Sequence, residues 1–363
     1  MKIIGLVLLV ILIGCSNKQT KEVAPKAESH AKVSTIKVGH LTKVRDFVLK
    51  VPYAEIGRIE PPVIISEDKK KIFYYDSGLN QIIVSDTLGS ILSKFGRKGR
   101  GPKEFLHITS YGIDKDTVYV YDGSLGKFKK FTLNGELLDI FDGPIKDNLW
   151  FRSNRIYIDG NRLLFGIQEA KYSSASNHWK SKTVAEYTSN GKFISLFGDY
   201  DPTLEGSSRL YKNANIVYDL DNEFMYTVHR TSKHIQKYDI GTKKIISRFS
   251  IPQSKNFLFA DRVPDVYDTR QEKNKLNLFQ SFVGDPFVNK DYFVFYFFNF
   301  TEDYWETRDQ STKHHFLQFF DKKDQFLFEL EVPYYPLGML GNKLLLVEDD
   351  DPDNFRIGVY NVQ

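Results

Sequence analysis

Lys127–Phe141 reads KFKKFTLNGELLDIF. Phe128, Phe131 and Leu133 mark one strand, and Leu137, Leu138, Ile140 and Phe141 mark a second. Asn134-Gly135 stands between them, and this pair suits a hairpin turn because both residues tolerate positive φ. The same unit returns in Gln81–Phe95 (QIIVSDTLGSILSKF), Lys182–Phe197, His234–Phe249 and His314–Leu330. Two further β-rich runs precede each copy, so the period is that of a four-stranded blade, about 40–50 residues. Aromatics make up 15% of the chain, with 29 Phe and 21 Tyr against 3 Met, a bias that favours pleated faces over helices.

Counting outward, blade 1 covers Pro61–Gly96 and blade 2 covers Leu106–Asp142. Blade 3 runs from about Asn154 to Gly198, blade 4 from Asn213 to Pro252 and blade 5 from Ser281 to Pro333. The sixth begins at Tyr335 and ends one strand short. The last strands of blades 4 and 5 read SRFSIP (Ser247–Pro252) and FELEVP (Phe328–Pro333), and Phe47–Pro52 reads FVLKVP far from any hairpin partner. The expectation is therefore an all-β, six-bladed β-propeller in which an N-terminal strand completes the C-terminal blade, leaving no open edge in the ring. Residues 40–363 then form one domain.

Upstream of it, Met1–Gly14 has one Lys and an apolar run, too short to span a bilayer, and reads as an export signal. It ends Leu12-Ile13-Gly14-Cys15, which resembles a bacterial lipoprotein signal. That resemblance implies lipid modification of Cys15, the only cysteine, and attachment to a membrane. Residues 15–39 are polar and read as a tether. Of the 50 Lys and Arg, one lies in 1–14 and five in 15–39; of the 46 Asp and Glu, two lie in 15–39. The body therefore balances, and no nucleic-acid stripe is implied. A lone cysteine excludes an internal disulfide and a Cys-based metal cluster.

The stretch Gly96-Arg97-Lys98-Gly99-Arg100-Gly101-Pro102-Lys103-Glu104-Phe105, followed by a strand and VYVYD (Val118–Asp122), is similar to a family: the six-bladed propeller lipoproteins of Bacteroides-type bacteria, which are NHL-repeat-like in style. The resemblance covers the whole body. It implies a cell-envelope protein anchored through Cys15, with the outer membrane as the expected site, and it assigns no ligand. Ser16–Lys21 lacks the acidic run common in surface-displayed members, so a periplasmic and a surface orientation both stay open.

Links between first and second and between third and fourth strands are short and fall on one face. The remaining links are long and fall on the other: Gly96–Phe105, Gly143–Arg152, Glu169–Lys180, Gly198–Lys212, Gln253–Gln280, Asn299–Lys313 and Glu348–Asn354. Long loops in compact domains tend to carry function. Trp150, Trp179 and Trp305 all fall there, so this face, around the channel mouth, is the expected contact surface for a protein, peptide or glycan. Arg97, Lys98 and Arg100 are candidates to grip a carboxylate or sulfate, although the glycines around them read first as a blade-to-blade turn. Asp349, Asp350, Asp351 and Asp353 form a weak Ca²⁺ candidate without EF-hand spacing. His229 and His234 flank a turn as a weak metal pair, whereas His314 and His315 are adjacent on a strand and point to opposite faces. Gln253–Gln280 reads as a short helix or lid. No cofactor is implied, and no HExxH or GxSxG motif occurs. A binding propeller is the leading reading. The alternative is a propeller enzyme of hydrolase, lactonase or lyase type, with a site gathered from several blades in the channel.

Overall fold

The computed structural model describes residues 37–50, 55–153, 155–172, 177–205, 214–219, 222–229, 232–258, 281–307, 309, 312–351 and 353–363. The signal segment, Cys15, the tether up to residue 36 and most of Gln253–Gln280 lie outside the described residues.

Strand β1 (Leu41–Val48) opens the described chain. Blade 1 is β2 (Ile59–Ile65), β3 (Lys71–Asp76), β4 (Gln81–Asp86) and β5 (Ile91–Phe95). Blade 2 is β6 (Ile108–Asp114), β7 (Thr117–Asp122), β8 (Lys127–Thr132) and β9 (Leu137–Asp142). Blade 3 has a broken inner strand, β10 (Leu149–Phe151) and β11 (Tyr157–Asp159), both paired to β12 (Arg162–Glu169), then β13 (Lys182–Thr188) and β14 (Phe193–Asp199). Blade 4 is β15 (Ala214–Asp219), β16 (Phe224–His229), β17 (His234–Asp239) and β18 (Lys244–Ser250). Blade 5 again splits its inner strand, β19 (Phe282–Val283) and β20 (Phe287–Val288), before β21 (Tyr292–Asn299), β22 (His314–Asp321) and β23 (Phe326–Val332). Blade 6 is β24 (Tyr335–Leu340), β25 (Lys343–Asp349) and β26 (Arg356–Val362), completed by β1.

The closure is the expected one, with a shifted position. β1 pairs antiparallel with β26, from Leu41 opposite Val362 to Val48 opposite Arg356, so only Phe47 and Val48 of FVLKVP belong to the strand. The outer edge of a blade buries little: only Phe47 of β1 is buried, and Leu41 and Val44, three residues apart in its first six, set no alternating apolar pattern. His40 and Gln363 exchange backbone hydrogen bonds of 2.8 and 3.0 Å, replacing the turn that joins third and fourth strands elsewhere.

Apolar clusters sit between blades. Ile64, Phe73 and Val84 of blade 1 pack with Phe105, Ile108 and Val118 of blade 2. Phe47 and Ile357 of blade 6 pack with Ile72 and Ile83 of blade 1. The hairpin glycines complete these seams. Gly135 has φ +81°, and a Cβ there would lie 2.4 Å from the Cβ of Phe95, the last residue of the preceding blade. Gly191 meets Phe141 in the same way. At the closure Gly39 takes this role, since a Cβ on it would lie 2.6 Å from the Phe328 ring.

Several of the long links carry structure: Glu169–Lys180 holds 3-10 turns at Ala170–Tyr172 and His178–Lys180, and Gly198–Lys212 holds one at Pro202–Leu204. Gly143–Arg152 contains a 3-10 turn (Pro144–Asp147) and β10, so blade 3 begins before Asn154. Asn299–Lys313 contains the short helix α1 (Glu302–Thr307), whose Thr301 hydroxyl accepts from the Tyr304 N–H at 3.1 Å.

Candidate functional site

The inner strands enclose a central cavity of about 730 Å³ that opens among the first-to-second-strand turns, the face with the short links. Val63 and Ile65 of β2 and Leu337 and Met339 of β24 form an apolar wall, to which Phe287 of β20 adds. Tyr157 and Tyr218 stand across from it with ring centroids 6.2 Å apart. Each is fixed by its hydroxyl: Tyr157 donates to the Ile216 carbonyl at 2.7 Å, and Tyr218 donates to Asp159 at 3.2 Å. Burial pushes the Tyr157 phenol up to about 12 against the pull of the Arg155 guanidinium, so both rings are neutral walls near pH 7.

The two broken inner strands supply the cavity's inner charges. Arg155 lies in the gap between β10 and β11, and Asp285 in the gap between β19 and β20. Asp159 is paired with Arg162, and Asp219 with Lys322 at 2.7 Å. The rim is mixed, with Lys69, Lys115 and Lys290 beside Glu67 and Asp114. Among the described residues, no group of three or more His, Cys, Asp or Glu is arranged to hold a metal ion.

None of the residues singled out in the sequence lines this cavity. Arg97, Lys98 and Arg100 are exposed in the blade 1–2 connection. Arg97 donates to Glu104 at 2.9 Å, and Glu104 also accepts from the Gly101 N–H at 2.8 Å. Those two donors, the backbone N–H first, hold the Glu104 carboxyl below the usual carboxylate range. Lys129, fully buried beneath the loop, donates to the carbonyls of Gly101 and Glu104. The arrangement is a braced turn: Gly99 has no room for a Cβ beside Glu104, and Phe105 closes on Gly96. Trp150 is on β10, 41% exposed, with the Arg152 guanidinium 5.2 Å above its ring. Trp179 is half-buried against His178 at 5.6 Å, and Trp305, on α1, is half-buried against Phe300 at 4.8 Å. Asp349 accepts from the Asp351 N–H at 3.0 Å and from Asn354, and Asp351 accepts from the Asp353 N–H, so the acidic run is spent on its own turn; Asp350 is exposed. His234 pairs with Asp201 at 3.1 Å and not with His229. His314 is exposed and His315 buried, on opposite faces of β22.

A six-bladed β-propeller family model, DUF5128, matches residues 55–346. The chain belongs to the DUF5128 family. No curated protein matches it in sequence. Among solved structures, a member of the DUF4221 family from Bacteroides vulgatus ATCC 8482 is similar at TM-score 0.71 and 12% identity, over 90% of this chain and 98% of that one. A protein assigned as exported, from Bacteroides fragilis NCTC 9343, is similar at TM-score 0.56 and 13% identity, over 92% and 97% of the two chains. At such identities the likeness is one of fold.

One residue of this DUF5128 propeller breaks a pattern that the sequence reading did not use. The second strands end on Asp76, Asp122, Glu169, His229, Asn299 and Asp349. Asp76 is fully buried and accepts from the backbone N–H groups of Gly57, Arg58, Gly78 and Leu79 at 2.8–3.2 Å. Asp122 does the same for Leu106, Ser124 and Leu125. His229 occupies this position in blade 4, fully buried, and neither ring nitrogen has a hydrogen-bond partner among the described residues. Its ring tilts against Tyr200 at 4.9 Å. Burial drives its pKa down to about 4; Asp201 opposes that shift and Arg248 adds to it.

Proposed function

We propose that this DUF5128 propeller is a binding protein of the cell envelope, attached through lipid on Cys15, that seats its ligand in the central cavity from the short-turn face. The observation that carries the reading is the cavity itself. It has the size of a small-ligand site, with an apolar wall on one side and charged groups within and around the mouth, so one surface can hold a ligand's carbon body while the other orients it. The signal-like run before Cys15 supports the anchor, and the fold the chain shares with a Bacteroides protein assigned as exported agrees with an envelope location.

The loop-rich face is the second reading, favoured by one observation: Trp150 is exposed and held under Arg152, a form suited to contact with a protein, peptide or glycan. The two faces are separated by recovering bound molecules from envelope extract on the full chain, on Met339→Trp and on Trp150→Ala, with native mass spectrometry as the readout. Met339→Trp fills the cavity and is expected to lose the ligand, while Trp150→Ala keeps it. Unchanged recovery on Met339→Trp overturns the cavity reading. For the anchor, Cys15→Ser is expected to move the protein from the detergent phase to the aqueous phase; a wild type already in the aqueous phase refutes it.

A further inference from the structure

We infer that the cavity takes a ligand headed by a carboxylate, held by Arg155, with a largely apolar body against the wall of Val63, Ile65, Leu337 and Met339. This deepens the cavity reading proposed above and rests on it.

Arg155 is placed rigidly for a side chain in a strand break. Its N–H donates to the Ser153 hydroxyl at 3.2 Å, and that hydroxyl donates to the Arg155 carbonyl at 2.6 Å. The next residue, Ile156, donates to the Tyr111 carbonyl of blade 2 at 2.9 Å, which fixes the gap to the neighbouring blade. From this base the half-buried guanidinium lies 5.2 Å from the Tyr157 ring centroid, facing the cavity.

Its pairing sets it apart from the charges around it. Arg162 is paired with Asp159, and Arg152 donates to Gln168 at 3.1 Å. The cavity's carboxylates at Asp159 and Asp219 are matched by Arg162 and Lys322, which do not line it. Asp285 has interactions of its own and forms no ion pair with Arg155. Among the described residues Arg155 has no ion pair at all. Asp159 of the same blade and Asp219 of blade 4 are thus neutralised from outside, while the cation is presented to the space within. A planar guanidinium offers paired N–H donors that match the two oxygens of a carboxylate. The apolar wall starts on the blades opposite, 1 and 6, so a ligand anchored at Arg155 lays its carbon body there. Lys69, Lys115 and Lys290 surround the mouth through which it passes, with Glu67 and Asp114 between them, so the rim discriminates by sign less than Arg155 does.

The test uses the full chain and calorimetry with four probes: an N-acetylated trileucine with a free carboxylate, its C-terminal amide, trigalacturonate and neutral galactotriose. A charge-assisted pair predicts that the free acid of trileucine binds about tenfold or more tighter than its amide. Arg155→Gln is expected to erase that ratio while leaving the amide's Kd unchanged, and Arg155→Lys to restore part of it. Equal binding of acid and amide to the wild type overturns the carboxylate assignment, as does absence of binding by any acidic probe at millimolar concentration. Tighter binding of trigalacturonate than of the trileucine acid overturns the apolar body. Met339→Trp separates the two levels of the argument. If it abolishes binding of acid and amide alike while their affinities are equal, the cavity stands and only the head group falls. If it binds every probe as the wild type does, the cavity reading falls as well.

Discussion

His229 predicts an acid sensitivity that is large and removable by one substitution. The folded pKa is about 4 against an ordinary 6.5, so between these values the unfolded chain carries a proton that the folded chain does not. Stability therefore falls as pH drops through this window, and the effect is absent above about pH 6.5. From about pH 7.5 to about pH 4.5, linkage puts the loss at about 2.5 kcal/mol for this residue alone. The neighbouring Asp201 carboxyl is pushed up by burial, but bonds from Ser232 and Thr203 outweigh this and leave it below the usual range. Its own loss therefore comes only at more acid pH, and comparison with a variant lacking the imidazole subtracts what Glu104 and the other depressed carboxyls contribute at the acid end of the window. His229→Phe keeps a ring against Tyr200 and discards two buried nitrogens that have no partner, each costing about 1–3 kcal/mol. It should be at least as stable as the wild type near pH 7.5 and should lack the steep fall. The assay is a set of urea melts across this range on both proteins, with the His229 ring followed by NMR in the wild type. Parallel loss of stability in the two proteins, or a ring that titrates near pH 6.5, would refute the reasoning.

Other outcomes follow from the packing. Phe47→Ala removes the buried ring through which the closing strand grips blade 1, and thermal unfolding should show a loss of about 3–5 kcal/mol. Deleting residues 37–48 should abolish the single cooperative transition, because blade 6 then ends on an unpaired β26; an unaltered melt would contradict the closure. Gly135→Ala forces a Cβ into Phe95 at positive φ, and a loss of about 1–3 kcal/mol should appear in urea melts. Lys129→Met strips two carbonyls of their donor beneath the Gly96–Phe105 connection, and limited proteolysis should then cut that connection first.

The repeating hairpin was legible because its turn chemistry and its strand pattern agree at every copy, and the ring closure was legible because Phe47 and Val48 repeat the ending of other blades. The early part of β1 was not, since an outermost strand buries too little to leave an apolar trace. β10 was missed because three residues, Leu149–Phe151, make no periodic signal and sit inside a stretch whose length reads as a loop. The cavity escaped for a related reason. Its lining is gathered from all six blades, two to six residues from each, and the turns around it are the short ones that carry no motif. Arg155 belongs to no recognisable motif, so only the strand break gives it meaning. His229 was within reach: setting Asp76, Asp122 and His229 side by side at their strand ends exposes the substitution, but only once blade boundaries are known to the residue.

Pairing Leu41 with Val362 also decides where mechanical load arrives. The chain comes into the propeller on the face where the cavity opens, next to its own last residue. Any force drawn through the polypeptide upstream of Lys37 pulls on β1 from that end. The hydrogen bonds of Lys37 and Gly39 with Glu329 are the first to bear it, then those between His40 and Gln363, before Phe47 at the far end is reached. A strand peeled from this side opens one rung at a time, so the ring would yield by unzipping at its latch while the remaining blades keep their pairing.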